Sequence, residues 1–182
     1  MDEMETAFFM PLQVGKPAPS FRCEALIEDK FEHIALEDLK GKWTILFFYP
    51  LDFTFVCPTE ILEFNKHATD FEKENAQLLG ISVDSVYSHQ AWGKELGKLN
   101  FPLLSDMTKE VSANYGVLIE EQGIALRGTF IIDPEGTLRH ITINDLPVGR
   151  DVKETLRVLH ALQSGELCPV GWKKGEETLG KA

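Results

Sequence analysis

The sequence has little cysteine, with only Cys23, Cys57 and Cys168 in 182 residues. A small scaffold held together by disulfides needs a much higher density, so that class of fold is excluded. An odd number of widely spaced cysteines indicates reactive thiols, buried thiols or one of each. The five histidines show no ligand spacing with the cysteines, and we therefore predict no metal site and no metal or organic cofactor.

Long apolar runs are also lacking, since none approaches the roughly 20 residues that a membrane-spanning helix needs. Residues Met1–Thr6 are acidic and a short apolar stretch after them ends at Pro11, whereas a secretory signal starts with positive charge and has a longer apolar segment. We therefore expect a cytoplasmic protein with no membrane partner. Lysine and arginine number 18 against 29 acidic residues, which argues against nucleic acid as a partner because phosphate binding needs clustered positive charge.

The composition is that of a globular protein. Hydrophobic residues make up 43% of the chain and charged residues 26%, which is ample for a packed core within one α/β domain. After Gly165 the composition changes, and glycine, proline, lysine and glutamate dominate. We therefore predict a domain over residues 1–165 and a C-terminal tail over residues 166–182.

Two buried strands and a helix are predicted in the first half of the chain. Trp43–Tyr49 is a continuous apolar run rich in β-forming residues and is stopped by Pro50, which is typical of a strand covered on both faces. Apolar residues at helical spacing predict a helix from about Pro58 to Glu74. The next apolar run, Leu78–Val83, predicts a second buried strand.

Capping residues predict three further helices. One begins near Asp84 and Ser85, a second is capped by Asp106, and a third begins at a capping box formed by Asp151 and Glu154. Between the last two, residues 129–132 and 138–143 form a predicted hairpin.

The predicted order of elements is β-α-β-α-β-α-β-β-α. It favours an α/β, thioredoxin-like fold, with a mixed central sheet covered by helices and followed by the tail. A doubly wound domain is the competing arrangement. Such a domain normally carries a glycine-rich phosphate loop after an early strand, and here residues 50–57 occupy that place.

Cys57 lies where a buried strand gives way to a helix. The free N–H groups and the positive end of the helix dipole favour thiolate over thiol, and thiolate is the nucleophilic form. A buried, unreactive cysteine is the alternative, and position alone does not decide between them.

The residues around Cys57 carry a family signature. Pro50, Thr54 and Cys57 match Pro-x-x-x-Thr-x-x-Cys, and the sequence here resembles the peroxiredoxins. Val56, Pro58 and Glu60 extend the resemblance to the typical two-cysteine group. The resemblance covers the chain from about Val14 to Trp172. It includes four later stretches, which lie around Arg127 and at Ile131–Asp133, Asn144–Arg150 and Cys168–Trp172.

The resemblance implies a role for each residue of the signature. Cys57 would attack a peroxide, Thr54 would hydrogen-bond the thiolate and the substrate oxygens, and Arg127 would favour the thiolate and stabilise charge on the leaving oxygen. Pro50 would shield the sulfur from water. Glu60 would orient the arginine from its other side.

Cys168 resembles the resolving cysteine of the group. It would capture the sulfenic acid of Cys57 as a disulfide between two subunits, after the first turn of the Cys57 helix has unwound. Thioredoxin, or a flavoprotein reductase with a thioredoxin-like module, would then restore the thiols. The peroxide substrate would be hydrogen peroxide or an organic hydroperoxide.

The family also implies self-assembly. The expected dimer forms along the strand Leu138–Ile143, and a ring of five dimers would use contacts near Phe48–Phe53 and Val83–Tyr87. A chaperone activity that holds unfolded clients could coexist with the peroxidase. A thiol–disulfide exchange protein of the thioredoxin type is a third class, but it needs a Cys-x-x-Cys pair, and Cys57 has no second cysteine nearby.

Two features depart from the family pattern. Peroxide-sensitive members carry Gly-Gly-Leu-Gly where this chain reads Lys94–Gly97, and they end in a helix with a Tyr-Phe pair that is missing here. We therefore expect fast disulfide formation and resistance to over-oxidation. Cys23 matches no signature, and we predict an inert thiol in an edge strand.

Overall fold

A computed structural model describes residues 12–181. The predictions for the acidic start and the apolar stretch before Pro11 lie outside these residues. Within them, no helix has both the length and the apolar character needed to cross a membrane.

Nine strands and five α-helices make up the described part of the chain, with one 3₁₀ turn at Leu36–Leu39. The strands are β1 (Arg22–Ile27), β2 (Lys30–Ala35), β3 (Trp43–Phe48), β4 (Ala76–Ser82), β5 (Leu103–Ser105), β6 (Leu118–Ile119), β7 (Ile124–Ala125), β8 (Arg127–Ile132) and β9 (Leu138–Asn144). The helices are α1 (Cys57–Lys66), α2 (Ala68–Lys73), α3 (Val86–Leu96), α4 (Glu110–Asn114) and α5 (Val152–Ser164).

Seven strands form one sheet, in the order β2-β1-β5-β4-β3-β8-β9. β3 is parallel to β4 and antiparallel to β8, so the sheet is mixed, and helices cover it. This confirms the predicted fold class. β9 lies at one edge of the sheet, in the place that the dimer prediction requires of it.

The two faces of the sheet carry separate apolar cores. Alternate residues of β3 point to opposite faces, so Ile45 and Phe47 join one core while Leu46 and Phe48 join the other. Every residue from Thr44 to Phe48 is buried, as expected of a strand covered on both sides. The end of β3 is therefore a rigid support for the loop that follows it.

The helix predicted from Pro58 to Glu74 is wrong in its length, because the chain breaks it at His67. His67 has φ −96° and ψ 4°, and α1 ends there before α2 begins. Its ring nitrogens contact the carboxylates of Glu63 and Asp70 at 3.2 and 2.9 Å, which holds the break in place.

The prediction that Cys23 lies in an edge strand is also wrong. β1 pairs with β2 on one side and β5 on the other. β2 was not predicted, because most of its side chains are exposed and its polar and apolar residues are equal in number. β2 therefore forms the edge of the sheet, a position that the prediction had assigned to β1.

The predicted helix caps are largely present. Ser85 accepts a hydrogen bond from the N–H of Ser88, and Asp151 caps α5. The carboxylate of Glu154 binds Arg157 rather than completing a capping box. Asp106 lies too far before the first residue of α4 to be its cap residue. Its carboxylate nevertheless accepts hydrogen bonds from two backbone N–H groups in the first turn of that helix.

The chain after α5, residues 166–181, folds back on itself; we call it the C-terminal segment. Leu167 and the 179–180 pair exchange two backbone hydrogen bonds of 2.8 Å, which close the segment into a loop. Trp172 is buried within it, with 5% of its surface exposed. This part of the chain is therefore ordered although its composition is that of a tail.

Candidate active site

Cys57 is the first residue of α1 and is completely buried. A loop over residues 49–56 separates it from the end of β3, and Pro58 occupies the first turn of the helix, where a missing N–H costs nothing. The sulfur therefore lies at the positive end of the helix dipole, as the sequence predicted. The thiol is fully enclosed by the surrounding protein.

Arg127 is the cation next to the sulfur. It is the first residue of β8, which places it beside the loop that follows β3. Its Nη1 atom donates to Cys57 Sγ at 3.3 Å and to Glu60 Oε2 at 2.8 Å, and its Nε donates to the carbonyl of Leu146 at 2.6 Å. These contacts fix the guanidinium before any substrate arrives.

Glu60 lies one turn after Cys57 on α1 and binds two arginines. Besides Arg127, it receives three hydrogen bonds from Arg150, from the backbone N, Nε and Nη2, at 2.9, 2.8 and 2.8 Å. Only 2% of the Glu60 side chain is exposed. The carboxylate is therefore the centre of a buried charge network.

Arg150 is a site residue that we did not predict individually. Its Nη1 donates to the carbonyls of Phe48 and Gly128, at 2.7 and 2.9 Å, so it links the ends of β3 and β8 to Glu60. Its sequence signal was the stretch 144–150, which resembles the family without showing which residue matters. Only the fold brings Arg150 within reach of a carboxylate 90 positions earlier in the chain.

The network places positive charge next to the Cys57 sulfur. Two arginines and one glutamate give a buried net charge of about +1. Burial lowers the pKa of Arg150, while its hydrogen bonds to Glu60 act in the opposite direction. The arrangement thus places a fixed guanidinium directly beside a buried sulfur.

Thr54 and Pro50 lie in the loop before α1. The Thr54 hydroxyl donates to the carbonyl of Leu51 at 3.0 Å. Among residues 12–181, the hydrogen bond to Cys57 Sγ is donated by Arg127 and not by Thr54. The lone pairs of the Thr54 oxygen can still accept a hydrogen bond. Pro50 is buried.

Asp52 anchors this loop to the body of the protein, a role that no sequence motif indicated. Its carboxylate accepts hydrogen bonds of 2.8 Å from the Tyr49 and Ser88 hydroxyls and lies 2.8 Å from His89 Nδ1. Its backbone N–H donates to Asp84. Burial raises the pKa of Tyr49, which keeps its hydroxyl protonated as a donor.

The other two cysteines lie in different surroundings. Cys168 is half-buried in the C-terminal segment, and its sulfur is 3.3 Å from the Ser164 hydroxyl. Cys23 is buried in β1, where burial and the charges of Asp106 and Glu110 raise its pKa to about 12. Cys23 is therefore a protonated thiol at neutral pH.

No part of the described chain offers a metal site, since residues 12–181 contain no group of three or more His, Cys, Asp or Glu side chains placed to hold an ion.

Comparison with known proteins assigns the family. The profile described as the AhpC/TSA family matches residues 14–141. The chain is 56% identical over 176 residues to peroxiredoxin-2 of Rattus norvegicus, covering 91% of this chain and 89% of that protein. It is also 56% identical over 180 residues to peroxiredoxin tpx1 of Schizosaccharomyces pombe, covering 93% and 94%.

Solved structures agree with the sequence relatives. The reduced 2-Cys peroxiredoxin of Plasmodium vivax superposes with a TM-score of 0.89 at 42% identity, over 92% of each chain. AhpC of Mycobacterium tuberculosis superposes with a TM-score of 0.81 at 42% identity, over 89% of this chain and 99% of that one. The predicted resemblance to two-cysteine peroxiredoxins is confirmed, and this chain belongs to the AhpC/TSA family.

Proposed function

We propose that the protein is a thiol-dependent peroxidase that reduces hydrogen peroxide and organic hydroperoxides, with Cys57 as the attacking group. The observation that carries the proposal is the buried Cys57 sulfur at a helix start, 3.3 Å from the Nη1 of Arg127. The relatives at 56% identity are peroxiredoxins by name.

The first step is a displacement at oxygen. The Cys57 thiolate attacks one oxygen of the peroxide, the O–O bond breaks, and Cys57 becomes a sulfenic acid. The leaving oxygen takes up the electron pair of the O–O bond and a proton, and departs as water or an alcohol. Arg127 stabilises that negative charge without having to move, because Glu60 and Leu146 already hold it.

Thr54 orients the substrate. Its own proton is donated to the Leu51 carbonyl, so its oxygen can accept a hydrogen bond from the O–H of the peroxide. Pro50 excludes water from the sulfur. Glu60 acts through Arg127 and has no direct contact with the reacting atoms.

The second step forms a disulfide with Cys168 of a second subunit. Cys57 has no exposed surface, so the first turn of α1 must open before the two sulfurs can meet. Thioredoxin or a flavoprotein reductase then reduces the disulfide by dithiol exchange. A cycle of this kind requires a reducing compartment, and we place the protein in the cytoplasm.

Assembly and domain division belong to the same proposal. The exposed edge of β9 supports pairing with a second copy, and the exposed Phe53 and Tyr87 support ring contacts between five dimers.

Residues 1–165 would form the peroxidase domain, with 166–182 as the tail that carries Cys168. Holding of unfolded clients would be a secondary activity, which a Cys57→Ser variant should retain.

Steady-state peroxide consumption with a dithiol reductant tests the proposal. Cys57→Ser should abolish turnover, whereas Cys23→Ser should leave it unchanged, because Cys23 is a buried, protonated thiol. Peroxide consumption by the Cys57→Ser protein at the wild-type rate would refute the assignment.

A further inference from the structure

The C-terminal segment is fastened to α5 by an arginine that has no contact with the Cys57 site. Arg157 lies in the middle of α5, and its Nη1 donates to the backbone carbonyl of Trp172 at 3.0 Å. Trp172 is buried, and its indole N–H donates to the carbonyl of Glu176 within the same segment. Arg157 therefore contacts the one buried anchor of the segment that carries Cys168.

The orientation of Arg157 is set by Glu154, one turn earlier on the same helix. The carboxylate accepts from Nε at 2.6 Å and from Nη2 at 2.8 Å. This two-pronged contact aligns the plane of the guanidinium and leaves Nη1 to reach Trp172. A lysine has a single ammonium group without this fork, so it cannot reproduce both contacts in the same geometry.

Cys168 lies against the last turn of α5. The Ser164 hydroxyl donates to the Ala161 carbonyl at 2.7 Å, so it turns its lone pairs towards Cys168 Sγ at 3.3 Å. The carbonyls of Ala161 and Glu166 lie 3.8 and 3.6 Å from the same sulfur. These three contacts hold the Cys168 sulfur in a defined place against the end of α5.

We propose that Arg157 is a positioning residue for the resolving step. Through Trp172 it holds the C-terminal segment on α5, and it thereby fixes the position of the Cys168 thiol before the disulfide forms. The proposal rests on the function proposed above. A fixed starting position limits the conformations from which Cys168 must search for the sulfenic acid, and orientation of this kind accelerates a reaction between two groups.

The step that Arg157 serves is balanced without any further reactant. The Cys168 sulfur bonds to the Cys57 sulfur, and the S–O bond of the sulfenic acid breaks. The thiol proton leaves with the hydroxide as water. Cys57 is reduced from sulfenic acid to disulfide and Cys168 is oxidised from thiol to disulfide.

The test compares Arg157→Ala and Arg157→Lys with Lys153→Ala. Lys153 is an exposed cation on the same helix, so its removal matches the change in charge without touching Trp172. The first readout is the rate at which a neutral alkylating reagent labels Cys168 in the fully reduced protein, by peptide mass spectrometry. The second is rapid mixing with peroxide, which separates the rate of sulfenic acid formation from that of disulfide formation.

We expect both Arg157 variants to label Cys168 several-fold faster than wild type and to form the disulfide roughly tenfold more slowly, with sulfenic acid formation unchanged. Lys153→Ala should match wild type in all three rates. Equal labelling in wild type and Arg157→Ala would overturn the proposal. Slower labelling would also overturn it, because Arg157 would then act on Cys168 through its charge.

The labelling experiment needs no peroxide and thus separates two kinds of failure. If wild-type protein forms no Cys57–Cys168 disulfide, the proposed function fails, yet faster labelling in Arg157→Ala would still establish the docking role. If the disulfide forms at the same rate in wild type and Arg157→Ala, the positioning role fails while the peroxidase stands.

Discussion

Replacement of Glu60 by glutamine removes one charge from the buried network while nearly preserving the shape of the side chain. In the native protein the carboxylate receives four hydrogen bonds from Arg127 and Arg150. An amide keeps one acceptor oxygen but turns an N–H₂ group towards guanidinium donors, and it leaves two buried positive charges with no buried carboxylate between them. Breaking a buried ion pair by removing one partner costs about 3–5 kcal/mol.

That loss is a large part of a total stability of about 5–15 kcal/mol. We expect Glu60→Gln to lower the free energy of unfolding in urea by about 3–5 kcal/mol, measured by circular dichroism. Peroxide consumption should fall by roughly 10²–10³, because Arg127 loses the group that aligns it beside the sulfur.

Glu63→Gln on the same helix is the matched control. Glu63 contacts Lys66 at 3.4 Å and His67 at 3.2 Å, and 38% of its side chain is exposed, so its replacement should cost less than about 1 kcal/mol. Equal losses of stability in the two variants would refute the reasoning, since the cost would then owe nothing to the buried arginines.

Three further outcomes follow from the structure. A thiol reagent at neutral pH should label Cys168 in the folded protein and leave Cys23 unlabelled, since burial raises the pKa of Cys23 to about 12; comparable labelling of both would contradict this. The hydrogen bond from Lys174 lowers the pKa of Glu74 below its usual 4.5. The contact therefore stabilises the fold fully above pH 4.5, and this stabilisation is lost as the pH falls through the lowered pKa. Tryptophan fluorescence should therefore report loosening of the C-terminal segment in acid, and a Glu74→Gln variant should show less pH dependence in this range. Repeated turnover at high peroxide should leave little sulfinic acid on Cys57, as expected from the missing Gly-Gly-Leu-Gly element, and substantial sulfinic acid at low peroxide would contradict that expectation.

Much of the sheet could be predicted because its strands are buried on both faces. The run from Trp43 to Phe48 is apolar except for Thr44, and the hairpin around residues 133–136 has unmistakable turn chemistry. β2 escaped prediction for the opposite reason: it is an edge strand with mostly exposed side chains, so no apolar period marks it. The break at His67 depends on side-chain contacts with two nearby carboxylates, which helical periodicity does not reveal.

The residues of the candidate site likewise include some that the sequence could identify and one that it could not. Cys57, Thr54 and Glu60 lie within one short signature, and Arg127 within a second stretch, so sequence resemblance could identify them. Arg150 joins the network only because the chain returns to the ends of β3 and β8 after the hairpin. A link between positions so distant in sequence leaves no local pattern.

The most direct test of the central claim is to add one equivalent of hydrogen peroxide to the reduced protein, followed by a non-reducing gel and peptide mass spectrometry. The account predicts a covalent dimer that contains a Cys57–Cys168 peptide and is absent in Cys57→Ser and in Cys168→Ser. A monomer with both thiols still free after peroxide would contradict it.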